Sequence, residues 1–178
     1  KMPRLHMAFL GNPGTGKTTV AQIIGKIFAS WGILSSGKVI RTEKSQMVGQ
    51  YIGETEFKMR NLLARAKGNV LFIDEAYSLS SGGENDFGRV AIETLLKAME
   101  DHRDDLVVIV AGYTGPMEGF ITSNPGLESR FNRYFYFPDY DGKQLMEIFR
   151  IQCKKNSYVL TEEAEQEALK MFTELYEE

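Results

Sequence analysis

The chain has 178 residues, enough for one α/β domain and part of a second, and its 43% apolar content excludes a disordered or fibrous protein. Its 21 basic and 24 acidic side chains leave a net charge of −3, so no overall positive field exists to hold nucleic acid or an anionic membrane surface. The single cysteine, Cys153, excludes an internal disulfide and fits a reducing compartment, and no apolar run reaches the ~18 residues of a membrane span, so the expected location is the cytoplasm.

Short apolar runs alternate with amphipathic stretches over residues 5–137, the pattern of a parallel sheet with helices on both faces. A strand is expected at 5–10. A helix should begin at about Gly16, with Val20, Ile23, Ile24, Ile27, Phe28 and Trp31 recurring at helical spacing as the stripe that packs on the sheet, and Gly32 as its stop. A second strand at 38–42 leads to a helix over 54–66 with Phe57, Leu62 and Leu63 facing the core. The runs 70–74 and 106–111 are nearly all apolar, as strands covered on both faces should be. Between them lie a flexible loop at 80–86 and a helix over 88–101 whose face is Ile92, Leu95, Leu96 and Met99. A fifth strand is expected at 133–137.

The turn cluster that opens with Pro138 marks a domain boundary: residues 1–137 form the α/β domain, and the remainder of the chain has only helical patterning. Leu145, Met146 and Phe149 line one helix. Thr161 caps another, with Glu162 and Glu163 in its first turn and Ala168, Phe172 and Leu175 on its apolar face. Two helices bury little by themselves, so the segment 138–178 is expected to be a small helical domain cut short.

Gly11, Asn12, Pro13, Gly14, Thr15, Gly16, Lys17 and Thr18 match G-x-x-x-x-G-K-[ST] in full, after an apolar strand and opening a helix, and Thr19 is next in the chain. Glycines let the backbone turn its N–H groups toward phosphate oxygens, at the positive end of a helix dipole. Lys17 is expected to reach the β- and γ-phosphates and Thr18 to ligate Mg²⁺, which makes Mg²⁺ and ATP the expected cofactors. Downstream, the apolar strand at 70–74 ends in Asp74 and Glu75. Asp74 at the strand tip is placed to hold the Mg²⁺ shell, and Glu75 to orient and polarise an attacking water. A kinase, which transfers phosphate to an acceptor, has less need of such an acid, so the pair favours hydrolysis.

The phosphate loop and the Asp-Glu strand, with Val48-Gly-Gln-Tyr-Ile-Gly53, Ala111-Gly-Tyr113 and Ser123-Asn-Pro-Gly-Leu-Glu-Ser-Arg-Phe131, resemble the AAA+ ATPases, in the branch containing red-type Rubisco activases, sporulation stage V protein K and the cytosolic ATPase of type VII secretion. The resemblance implies a P-loop NTPase fold, a five-stranded parallel sheet with helices on both faces, followed by part of a helical lid. It implies that Arg130 and Arg133 enter a neighbouring subunit's ATP site. Thr114 falls where many members carry a sensor asparagine, and its hydroxyl would hold the attacking water or γ-phosphate. Tyr51, Ile52 and Gly53 would form a loop that grips a protein substrate, with Gly49 and Gly53 letting it move. The family's adenine-contacting segment and its second sensor arginine are not among these residues, which implies weaker nucleotide affinity and assembly. The expected function is an ATP-driven protein-remodelling motor working as a ring, in similar proteins a hexamer, or as a helical array. The alternatives are a monomeric nucleotide switch or kinase, and then a nucleic-acid motor or clamp loader. The charges around Tyr51 are mixed, Lys44, Lys58 and Arg60 against Glu43, Glu54 and Glu56, which argues against a nucleic-acid partner.

Overall fold

The structure is a computed structural model that describes residues 5–83 and 87–177. Contacts divide the chain into two compact units, with the division between Phe137 and Pro138. In the first, strands β1 (Met7–Gly11), β2 (Val39–Thr42), β3 (Val70–Asp74), β4 (Val107–Gly112) and β5 (Tyr134–Phe137) form one sheet in the order β2-β3-β4-β1-β5. Every pairing is parallel, as expected from the sequence. The strand ends lie within two residues of the expected positions.

Alternation along β1, β3 and β4 feeds two separate cores. Ala8, Leu10, Leu71, Ile73, Val108 and Val110 face one side. There they pack with residues of α2 (Lys44–Met47), α3 (Ile52–Ala66), α4 (Gly88–Asp101), α5 (Thr114–Thr122) and α6 (Pro125–Arg130). Met7, Phe9, Val70, Phe72, Val107, Ile109 and Ala111 face the other side, covered by α1 (Lys17–Ser30) and by Leu34. Each large side chain so buried contributes about 1.5–3 kcal/mol, so the central strands, not the edges, hold the sheet.

Two expected faces are corrected. In α1 the residues that go under are small or at the ends: Lys17, Ala21, Gly25 and Phe28 are buried. A Cβ on Gly25 would collide with the Gly37 carbonyl oxygen, so its lack of a side chain is what lets the helix approach. The helix therefore seats on its small residues, Val20 and Ile24 flank the contact, and Ile23, Ile27 and Trp31 are exposed, Trp31 by 70%. In α3, Thr55, Met59, Leu62 and Ala66 are buried, which leaves Phe57 about 200° round the helix from Thr55, at 3.6 residues per turn, and exposed. The helix at 88–101 keeps its expected face, with Ile92, Leu95 and Met99 buried and Leu96 packed against them.

α2, α5, α6 and a 3₁₀ turn at Ala76–Ser80 are additions to the elements expected from the sequence. The 3₁₀ turn takes up the start of the loop expected at 80–86, of which residues 84–86 lie outside the described residues.

The second unit is a pair of helices, α7 (Gly142–Lys155) and α8 (Glu162–Glu177). Asp141 caps α7 in a reciprocal box with Gln144, and the Thr161 hydroxyl accepts the Ala164 N–H at 3.2 Å at the start of α8, as its sequence predicts. The two helices are joined by Phe149 against Phe172, ring centres 5.8 Å apart, and by Arg150, which donates two hydrogen bonds to Glu165 at 3.1 and 3.2 Å. The side chain of Leu175 lies outside the described residues. No helix among the described residues is long and apolar enough to cross a membrane.

Candidate functional site

Parallel pairing brings the C-terminal ends of β1, β3 and β4 side by side, with Leu10 opposite Gly112 and Asp74 opposite Ala111. Outside those ends, where ligands of open α/β sheets bind, lies a cleft of about 490 Å³. Gly11, Pro13, Gly14, Gly16, Lys17, Thr18 and Thr19 line it from the first loop and the start of α1, Arg41 from β2, Phe72 and Asp74 from β3 with Glu75 just after it, and Gly112 from β4 with Tyr113 just after it.

The loop owes its shape to Gly14 and Gly16, at φ +75° and +88°, a region that side chains with a Cβ rarely enter. Gly16 caps α1 without a side-chain bond, and Lys17, Thr18 and Thr19 of the first helical turn line the cleft. Asn12 and Thr15 do not line the cleft; they brace the loop, the Thr15 hydroxyl donating to the Asn12 carbonyl at 2.8 Å. Lys17 is buried, and its ammonium donates to the carbonyls of Gly11 and Asn12 at 2.8 and 2.6 Å. A charge held this way at the loop wall is desolvated and aimed inward, the arrangement that suits a point contact with phosphate oxygen.

Across the cleft, Asp74 is half-buried and Glu75 is exposed. One Asp74 oxygen accepts the Glu75 N–H at 3.1 Å; the other accepts the Arg41 guanidinium at 2.5 Å. Glu75 is held at φ +48°, ψ +46°, a left-handed conformation that costs a non-glycine residue on the order of 1 kcal/mol or more and that clusters at functional sites. Burial pushes the Tyr77 phenol up from its usual range, and the neighbouring Glu75 carboxylate adds to the shift. Thr18 and Asp74 offer a hydroxyl and a carboxylate to the same cleft, hard oxygen donors that fit Mg²⁺. Among the described residues no cluster of three or more His, Cys, Asp or Glu forms a separate metal site.

The other residues singled out in the sequence lie elsewhere. Thr114 is exposed at the first position of α5, and it is Tyr113 that lines the cleft. Arg130 folds against its own chain. It donates to the Gly126 carbonyl at 3.2 Å, approaches Glu100 at 3.7 Å with its side chain 19% exposed, and buries its Nε without a hydrogen-bond partner. Arg133 is exposed just before β5. Neither arginine lines the cleft of its own chain.

Tyr51 and Ile52 are 63% and 51% exposed at the N-terminus of α3. The expected glycine hinges are corrected: Gly53 lies in the first turn of α3, and the backbone before Tyr51 is tied to that helix. The Gly49 N–H donates to the buried Thr55 hydroxyl at 2.9 Å and the Gln50 N–H to the Glu54 carboxylate at 2.6 Å. The Gln50 bond holds the Glu54 carboxyl below its usual range, with Lys58 contributing and partial burial opposing. Met47, fully buried, anchors the other end. The aromatic pair thus stands on a braced turn. Arg41 and Tyr113 are cleft residues that sequence reasoning missed, and the acidic pair at 74–75 alone gives no signal for Arg41.

A phosphate loop and an Asp-Glu strand tip at the C-terminal edge of a 5-stranded parallel sheet define a P-loop nucleotide-binding protein. The chain belongs to the ATPase family associated with various cellular activities (AAA), whose profile matches residues 7–139, and the profile of the AAA lid domain matches residues 141–178. It is 52% identical over 161 residues to stage V sporulation protein K of Bacillus subtilis, a match that covers 90% of this chain and 50% of the relative. It is 49% identical over 164 residues to the chloroplastic ribulose bisphosphate carboxylase/oxygenase activase of Cyanidioschyzon merolae, covering 92% and 56%. Both fall in the branch that the motifs resemble. The chain spans about half the length of these curated relatives. The AAA domain of FIGL-1, solved in complex with ADP, shares the fold, with a TM-score of 0.58 at 22% identity over 86% of this chain and 49% of that one.

Proposed function

We propose that this chain carries the Mg²⁺-dependent ATP-hydrolysing core of a cytoplasmic protein-remodelling motor, assembled through nucleotide sites shared between subunits. The observation that carries the reading is the convergence of the 11–18 loop, Thr18, Asp74 and Glu75 on one cleft. Loop N–H groups and Lys17 bind the phosphates, and Thr18 with Asp74 would hold Mg²⁺, which when bound neutralises charge on the β- and γ-phosphates. Glu75 lines the cleft and is exposed, which supports its role as the base that would orient a water on the γ-phosphate and take its proton as the water attacks. A phosphate-release assay on an assembling form of the protein tests this: Mg²⁺-dependent turnover supports it, and ATP binding with no turnover at any protein concentration overturns it.

The placement of Arg130 and Arg133 outside their own cleft supports a role in trans, for which Arg130 must exchange Glu100 for the neighbour's γ-phosphate. Turnover should then rise more steeply than linearly with protein concentration. Inactive Arg130→Ala and inactive Lys17→Ala subunits, mixed, should recover part of the parent rate, because a mixed interface pairs an intact arginine with an intact loop. Mixtures that stay inactive count against a shared site.

Exposure of Tyr51 and Ile52 supports their use as the substrate grip, an aromatic contact tolerant of many sequences. Because Tyr51 lies outside both cores, Tyr51→Ala should change stability by less than about 1 kcal/mol, the range of surface substitutions, and leave basal hydrolysis near the parent rate while abolishing remodelling. Thermal unfolding and turnover measured together check this. A loss of several kcal/mol, the size for a core aromatic, would return the turn to a purely structural role.

A further inference from the structure

Arg41 belongs to none of the motifs in the sequence, yet its guanidinium lies in the nucleotide cleft. It extends from the edge strand β2, is 62% exposed, and makes a 2.5 Å ion pair with an Asp74 oxygen, on a side chain that is 27% exposed. The other Asp74 oxygen already accepts the Glu75 N–H. Of the two oxygens, the one that makes no backbone bond is the one that Arg41 holds, so a cation that approaches Asp74 meets the guanidinium charge there. Resting on the nucleotide reading of the cleft, we infer that Arg41 is a positioning residue of this site, one that competes with the divalent cation for Asp74 and so sets the Mg²⁺ concentration at which the site loads.

The chemistry is a plain competition. A guanidinium and a divalent cation both seek a carboxylate oxygen, and positive charges within a few ångströms of each other repel in a cleft less polar than water. When the cation takes Asp74, Arg41 gives it up and its guanidinium is left to water, to which its side chain is already largely exposed. The pair is partly solvated, which keeps the exchange within reach of cellular Mg²⁺: exposed pairs of good geometry are weak enough to be displaced. Lys17 takes no part in the competition for Asp74, since its ammonium donates to the carbonyls of Gly11 and Asn12.

The test is an MgCl₂ titration at fixed fluorescent ADP, read as nucleotide binding. Arg41→Ala and Arg41→Gln are the variants, and both should fold, since the residue is an exposed side chain on an edge strand. Each should lower the half-saturating Mg²⁺ about two- to five-fold, the size of an exposed ion pair removed from the competition. Arg41→Lys, which keeps a cation, should shift it less. In an Asp74→Asn background the Arg41 substitution should move the midpoint no further. A midpoint unchanged or raised in both variants, with the parent binding ADP normally, overturns the role of Arg41 alone. A parent that binds no nucleotide at any Mg²⁺ overturns the nucleotide reading beneath it.

Discussion

Lys17→Ala should weaken binding of both ATP and ADP by about two orders of magnitude or more. The ammonium is the one cation built into the wall of the loop, buried and oriented by the Gly11 and Asn12 carbonyls. Two of its three N–H donors are taken by those carbonyls, so one charge-assisted hydrogen bond to phosphate oxygen, about 1.5–3 kcal/mol, adds to the attraction of a buried charge for the phosphates, and the loss corresponds to a factor of about 10² or more in Kd. The substitution should not unfold the protein, because the loop's shape comes from the left-handed Gly14 and Gly16 and from the Thr15 to Asn12 bond, all of which remain. Calorimetry giving the same ATP affinity for variant and parent would overturn the assignment.

Glu75→Gln should keep ATP binding and cut turnover by roughly 10²-fold or more, the size of a general-base contribution. The amide preserves shape and the left-handed backbone at φ +48°, so the change is confined to the loss of a proton acceptor. The neighbouring Asp74→Asn is expected to behave differently. Its carboxylate holds the Glu75 N–H and Arg41, and it lines the same cleft as Thr18, so the variant should disturb Mg²⁺-dependent binding as well as rate. Glu75→Gln turning over at the parent rate would move Glu75 to a structural role, with its strained backbone left unexplained.

The parts of the fold that the sequence makes legible are those where one local pattern decides. The runs at 70–73 and 106–111 are apolar throughout because both their faces are covered. The phosphate loop is legible because its geometry depends on glycine at fixed spacing within one turn. Helices α5 and α6 are hidden by their own breakers. α5 contains Gly115, Pro116 and Gly119, and is tolerated because the proline sits in the first turn, where its missing N–H would have no partner. α6 starts Asn124-Pro125, and Asn124 accepts the N–H groups of Gly126 and Leu127 at 2.8 and 3.3 Å, a cap signal that is present in the sequence. The α1 stripe misleads because large apolar residues ordinarily mark the buried face, whereas here Ala21 and Gly25 mark it by letting the helix come close.

At the site, the binding loop and the acidic pair are each contiguous, whereas the Arg41 to Asp74 pair spans 33 positions and exists only because β2 and β3 pair in parallel with Arg41 opposite Phe72. No periodicity in either segment encodes that register. The same holds for the Arg130 to Glu100 contact, which joins the end of α6 to the end of α4.

In the proposed mechanism one cleft binds ATP through Lys17 and turns it over through Glu75. This mechanism is tested most directly by titrating ATP with Mg²⁺ into the Glu75→Gln protein, where the nucleotide should survive the measurement, beside the Glu75→Gln, Lys17→Ala double variant. Saturable binding of one ATP per chain is expected in the first and no measurable heat in the second. Equal binding by the two, or none by the first, would contradict it.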